Sequence, residues 1–102
     1  MIKVVSLLKR PETVPTAAEF KEWWLHDHAP LAARVPGVVS YSIAFPIDER
    51  GFPFDGMAEM RFADLETLER GFASEAGRIA VESAAQHAGS RVRAVMTEFK
   101  VL

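Results

Sequence analysis

Thr16-Ala17-Ala18-Glu19-Phe20-Lys21-Glu22-Trp23-Trp24-Leu25-His26-Asp27-His28-Ala29-Pro30-Leu31 decides the fold, because the segments on both sides of it read as strands. Thr16 followed three residues later by Glu19 is a capping box. The hydroxyl accepts from a first-turn amide while the glutamate reaches back. A helix therefore runs from Ala17 through roughly His28. At 100° per residue it lays Phe20, Trp24, Leu31 and Val35 on one side, with Trp23 on the flank. Pro30 cannot donate to the carbonyl of His26 and pushes Ala29 away from helical angles. A break or kink is expected there, then a short helical turn ending at Pro36-Gly37.

Upstream, Ile2 to Lys9 is short, β-branched and apolar, and Arg10-Pro11 stops it, so it reads as a strand. Downstream, Val38 to Phe45 alternates, with Val39, Tyr41, Ile43 and Phe45 on one face and Ser40, Ser42 and Ala44 on the other. Pro46 to Phe54 is an exposed connection. Asp55 to Ala63 is a third strand, with Gly56, Ala58, Met60 and Phe62 facing one way. Asp64 caps a helix over Leu65–Phe72, Ser74 caps a second piece reaching about His87, and Gly89 closes it. Val92 to Val101 is the last strand. The order β-α-β-β-α-β is an α+β, ferredoxin-like arrangement: a four-stranded antiparallel sheet with two helices on one face. It spans 1–102 as one domain.

Two helices cover one face only. Strand one is apolar on both, with Ile2, Val4 and Leu8 against Val5 and Leu7, and strand four sets Ala94 and Met96 against Val95, Phe99 and Val101. Such strands expect a layer on each side, and a second copy of the sheet is the source expected here, giving a homodimer through sheet-to-sheet packing.

The 102 residues are 49% hydrophobic and 25% charged, with a formal net charge of -2. That near balance gives no electrostatic footprint for nucleic acid or an anionic membrane. Without cysteine, disulfides, zinc–thiolate sites, iron–sulfur clusters and cysteine nucleophiles are excluded. No apolar run approaches the ~20 residues that span a bilayer, and no signal-peptide pattern opens the chain, so a cytoplasmic protein is expected. Gly51 to Gly56 has P-loop spacing, but Met57-Ala58 stands where Lys-Ser/Thr is required. No G-x-G-x-x-G or G-x-S-x-G occurs, so no nucleotide, flavin or hydrolase signature is present.

His28 follows Trp24 by four residues and Phe20 by eight, so it points to the covered side of its helix. There it either exchanges protons near neutral pH or hydrogen-bonds carbonyls freed by Pro30. His26 and His28 diverge by about 200° on a helix, so no dedicated metal site is expected. His87 closes a helix as a dipole partner. Trp24 is core or pocket wall, and Trp23 packs at its margin or at a subunit contact. Tyr41 brings a hydroxyl into an apolar setting, as a buried anchor or as a donor to a ligand. Strand one separates Glu59 from Glu98, so Glu59 is expected to cluster with Arg61, and the role of Glu98 stays open.

The chain resembles the EthD-type family, named for ethyl tert-butyl ether degradation. The resemblance rests on Met1 to Arg10, on Phe20…Trp24…His28-Ala29-Pro30-Leu31, on Pro36-Gly37…Tyr41 and on Asp55 to Phe62. It continues through the Leu65 helix, Phe72-Ala73-Ser74…Gly77-Arg78 and Thr97-Glu98. It implies a dimeric α+β barrel. It also implies likeness to methylmuconolactone methylisomerases and cofactor-independent monooxygenases and cyclases, placing the isomerase-like histidine on His28 and the strand-two tyrosine on Tyr41. No thiol-assisted step has an equivalent here.

The expectation is a catabolic protein for a small hydrophobic oxygenated or aromatic compound, working by cofactor-independent acid–base chemistry. His28 would be the proton shuttle, Tyr41 would bond the ligand oxygen, and Phe20, Trp24 and Phe62 would be apolar walls. The alternative is a non-catalytic ligand-binding accessory protein of an oxidative pathway. A third reading, haem on His28 or His87, lacks any specifying context.

Overall fold

The computed structural model describes residues 1–102. β1 (Ile2–Lys9), β2 (Val38–Ala44), β3 (Gly56–Phe62) and β4 (Ser90–Thr97) form one antiparallel sheet in the order β2-β3-β1-β4. The first helical segment comprises α1 (Ala17–Trp23), a π-helical turn over Trp24–His28, and α2 (Ala29–Ala32). The second is α3 (Leu65–Ala73) and α4 (Glu75–His87). The architecture is the expected α+β, ferredoxin-like one. No helix is long and apolar enough to cross a membrane.

Local chemistry sets the helix starts. The Thr16 hydroxyl accepts from the Glu19 amide at 3.2 Å, the Asp64 carboxylate from Thr67 at 2.8 Å, and the Ser74 hydroxyl from Gly77 at 3.1 Å. The expected break at Pro30 is not there. The helical path continues through Pro30, and the irregularity is taken up upstream, where the Ala29 amide donates to Trp24 across five residues. This wider turn keeps residues four apart in line, so Phe20, Trp24, His28 and Ala32 are all buried. Leu31, expected on that side, is half-buried, and Ala32 takes its place.

Three further expectations are corrected. A β-bulge lies between Val38 and Ser40, so Val38 turns to the core and Val39 is exposed, opposite to strict alternation. β4 starts and ends earlier than Val92–Val101. Gly89 is no left-handed cap, because α4 ends on an extended Ala88. Instead Gly89 passes so close to β1 that its amide donates to Lys9 at 2.8 Å and a Cβ would stand 2.7 Å from the Arg10 carbonyl oxygen.

The core between sheet and helices forms two clusters, one around Val4, Val35, Met60, Phe62 and Leu68, the other around Leu8, Phe20, Trp24 and Ala58. Tyr41 packs against both. On the open face, Lys3 reaches Glu59 at 2.8 Å and Glu98 at 3.1 Å, and Arg61 bonds Glu98 at 2.6 and 2.8 Å. β1 therefore does not keep the two carboxylates apart: its own Lys3 joins them. Their partners hold Glu98 down at about 2, Arg61 first and Lys3 next.

Candidate active site

The gap between the two clusters is a cavity of about 470 Å³, within the range of small-molecule sites. The sheet supplies Val4, Ser6, Leu8, Tyr41, Ala58 and Met60 to its wall, and the first helical segment supplies Trp24, His28 and Ala32. Its more exposed members, Val81, Arg91, Val92 and Arg93, all belong to α4 and β4. The cavity therefore opens between that helix and that edge strand.

His28 is 7% exposed. Its Nδ1 is hydrogen-bonded to the Ser83 hydroxyl on α4, 3.0 Å away, rather than to a carbonyl of its own helix. Its ring stacks on Trp23, with centroids 5.2 Å apart. Burial, helped by nearby His87, pushes the imidazole down to about 4, so it is neutral at pH 7. Nδ1 is the ring nitrogen that this bond occupies, and Nε2 makes no hydrogen bond within the protein. His87 lies at the end of α4, where its Nδ1–H donates to the Ser83 carbonyl at 2.9 Å, and it stacks on Trp23 as well. His26 lies on the exposed face, 3.2 Å from Glu22.

Burial pushes the Tyr41 hydroxyl up to about 12. The Trp24 indole N–H lies near it and opposes that rise, yet closes no hydrogen bond with any acceptor. Trp24 is wholly buried, so this is a desolvated donor without a partner in the wall of a cavity. Together these groups can bind an oxygen, donate to it, and exchange a proton through a neutral imidazole.

His28, Tyr41 and Trp24 thus meet at one cavity. Phe20 and Phe62, expected as walls, do not reach it. Phe20 stands behind Trp24, ring centroids 5.9 Å apart, and Phe62 is wholly buried against Phe72. Sequence reasoning missed Ser83, Arg91 and Arg93. The two arginines at alternate positions of an apolar strand were the available signal.

The EthD domain family model matches residues 15–88. No curated protein matches the chain in sequence. Among solved structures, an ethyl tert-butyl ether degradation family protein from Bacillus halodurans is 24% identical, with a TM-score of 0.86 over 97% of this chain and 99% of that one. A dimeric ferredoxin-like protein of unknown function from Thermobifida fusca is 17% identical, at 0.72 over 95% and 90%. SnoaB, a cofactor-independent oxygenase from Streptomyces nogalater, is 18% identical, at 0.70 over 99% and 95%. At these identities the structural likeness shows the fold. The match over 15–88 shows more: the chain belongs to the EthD family.

Proposed function

We propose that the protein takes a small hydrophobic, oxygenated or aromatic compound into this cavity and performs cofactor-independent acid–base chemistry on it: isomerisation, cyclisation or oxygenation. The observation that carries the reading is a nearly buried, neutral His28 in the wall of a cavity shared with Tyr41 and the unpartnered N–H of Trp24. His28 accepts a proton from a carbon or hydroxyl next to a carbonyl. Tyr41, held as a phenol, donates to the oxyanion that develops. The resulting imidazolium–enolate ion pair offsets the burial that keeps the free imidazole neutral. Protonation of the enolate elsewhere isomerises the substrate, attack within the molecule cyclises it, and reaction with dioxygen oxygenates it. That SnoaB is a cofactor-independent oxygenase on this fold supports the last route.

The test uses 2-tetralone, a hydrophobic carbon acid, and follows exchange of its α-hydrogens with deuterated water by NMR. The protein is expected to accelerate exchange, and His28→Ala to lose about 10²–10⁴-fold. Equal rates would overturn His28 as the base. The second reading, a ligand-binding accessory protein, is favoured by the Ser83 bond and Trp23 stacking that give His28 a structural role, and it predicts binding without exchange. In either reading the open sheet face, with Val5, Leu7, Met57, Val92 and Met96, packs on a second copy. The dimeric T. fusca protein supports this.

A further inference from the structure

We infer that Arg91 and Arg93 form an anion subsite at the mouth of the cavity, and that the ligand is a hydrophobic carboxylate whose apolar body lies inward. This rests on the cavity being the ligand site and names the class of compound it takes.

Five other arginines are matched with carboxylates: Arg10 with Asp55, Arg50 with Asp48, Arg61 with Glu98, Arg70 with Glu66 and Arg78 with Glu75. Arg34, out on the surface and away from the cavity, has no such partner, and neither do Arg91 and Arg93, the two that line it. Arg91 reaches only the Val81 carbonyl at 3.4 Å, and Arg93 lies over the Phe72 ring, 4.8 Å from its centroid. No aspartate or glutamate lines the cavity.

The two arginines share one face of β4. Arg91 pairs across the sheet with Leu8 and Arg93 with Ser6, both on the helix-facing side of β1, so both arginines project toward the helices, Arg91 to Val81 of α4 and Arg93 to Phe72 of α3. Two positions along a strand span roughly 7 Å, a distance at which like charges repel. Burial and Arg91 together disfavour the charge on Arg93. A solvated edge strand could carry its charges without folding one over a ring at a cavity mouth. A guest anion between the two would offset that repulsion. A carboxylate offers one charge and two coplanar oxygens, which suit guanidinium forks, and the remaining wall is mostly apolar. Such a ligand would be held by its acid group at the mouth, with the rest of the molecule extending toward His28 and Tyr41.

The experiment titrates the full-length protein with 2-naphthoate and with its neutral counterpart 2-naphthamide, by calorimetry at low salt. The acid is expected to bind at least about tenfold more tightly than the amide, since a charge-assisted hydrogen bond contributes on that scale. Arg93→Gln should bring the acid down to the affinity of the amide, and added salt should narrow the margin in the unmodified protein. Arg70→Gln, at an exposed ion pair outside the cavity, should keep the margin. If the amide binds as well as the acid, or the margin survives in the Arg91→Gln/Arg93→Gln double variant, the subsite is overturned while the cavity stands. If neither compound binds, both readings fall. If the acid is favoured through Arg93 but 2-tetralone never exchanges, the subsite stands and catalysis by His28 falls.

Discussion

Nδ1 of His28 and the hydroxyl of Ser83 lie 3.0 Å apart, so α4 holds the edge of the imidazole while Trp23, from the histidine's own helical segment, stacks on its face. The hydrogen bond selects one orientation of the ring and leaves Nε2 for the cavity. Ser83→Ala is expected to slow 2-tetralone exchange by about fivefold to tenfold, in keeping with one lost hydrogen bond. Ser83→Thr, which keeps the hydroxyl, should restore it. The nitrogen-15 shift of Nδ1 should move in the alanine variant and return in the threonine variant. Unchanged shifts would remove Ser83 from this role.

Acid should destabilise the fold through the same ring. His28 has a folded pKa of about 4 against an ordinary 6.5, so the folded state binds its proton less readily than the unfolded chain. Its contribution is complete above pH 6.5 and is lost as the pH falls toward 4. The loss is about 3 kcal/mol, from the usual 1.36 kcal/mol per pH unit. Urea unfolding at pH 8 and pH 4 should show a smaller fall for His28→Gln than for the parent. Equal falls would exclude His28 as the cause.

Gly56 clears the space that Trp24 occupies. A Cβ there would stand 2.7 Å from Trp24 Cζ3 and 3.0 Å from the Ala44 carbonyl oxygen. Gly56→Ala is expected to cost about 1–3 kcal/mol by overpacking and to displace the indole wall. Trp24→Ala should cost about 3–5 kcal/mol by leaving a void. Denaturant unfolding measures both, and a neutral Gly56→Ala would show that the ring has room to move.

Lys3 bridges Glu59 and Glu98 on the open face. Lys3→Met should raise the Glu98 carboxyl from about 2 toward its ordinary 4.5, followed by carbon-13 NMR titration. Arg61 still holds Glu98, so the rise should be partial.

Met96 lies on that open face and is substantially exposed. If the face packs on a second copy, Met96→Glu should weaken self-association at least about tenfold, read by sedimentation equilibrium. An unmodified chain that stays monomeric at high concentration would overturn the dimer.

The helix starts at Thr16, Asp64 and Ser74 and the alternation of Gly56 to Phe62 were legible in the sequence, because caps and periodicity act over a few residues. The bulge at Val39 was not, since an extra residue shows only against its partner strand. Nor was the π-helical turn, where Pro30 marked the disturbance but not which turn would absorb it.

By itself the sequence determined the covered side of the first helix at Phe20, Trp24 and His28, and the apolar face of strand two at Tyr41 and Ile43. Depth came only from the tertiary structure: it set Phe20 and Phe62 behind the wall, brought Arg91 and Arg93 to the cavity and set Ser83 against His28. Periodicity records direction about an axis. Distance from a void depends on what the opposite layer contributes, and those residues lie more than fifty positions from His28.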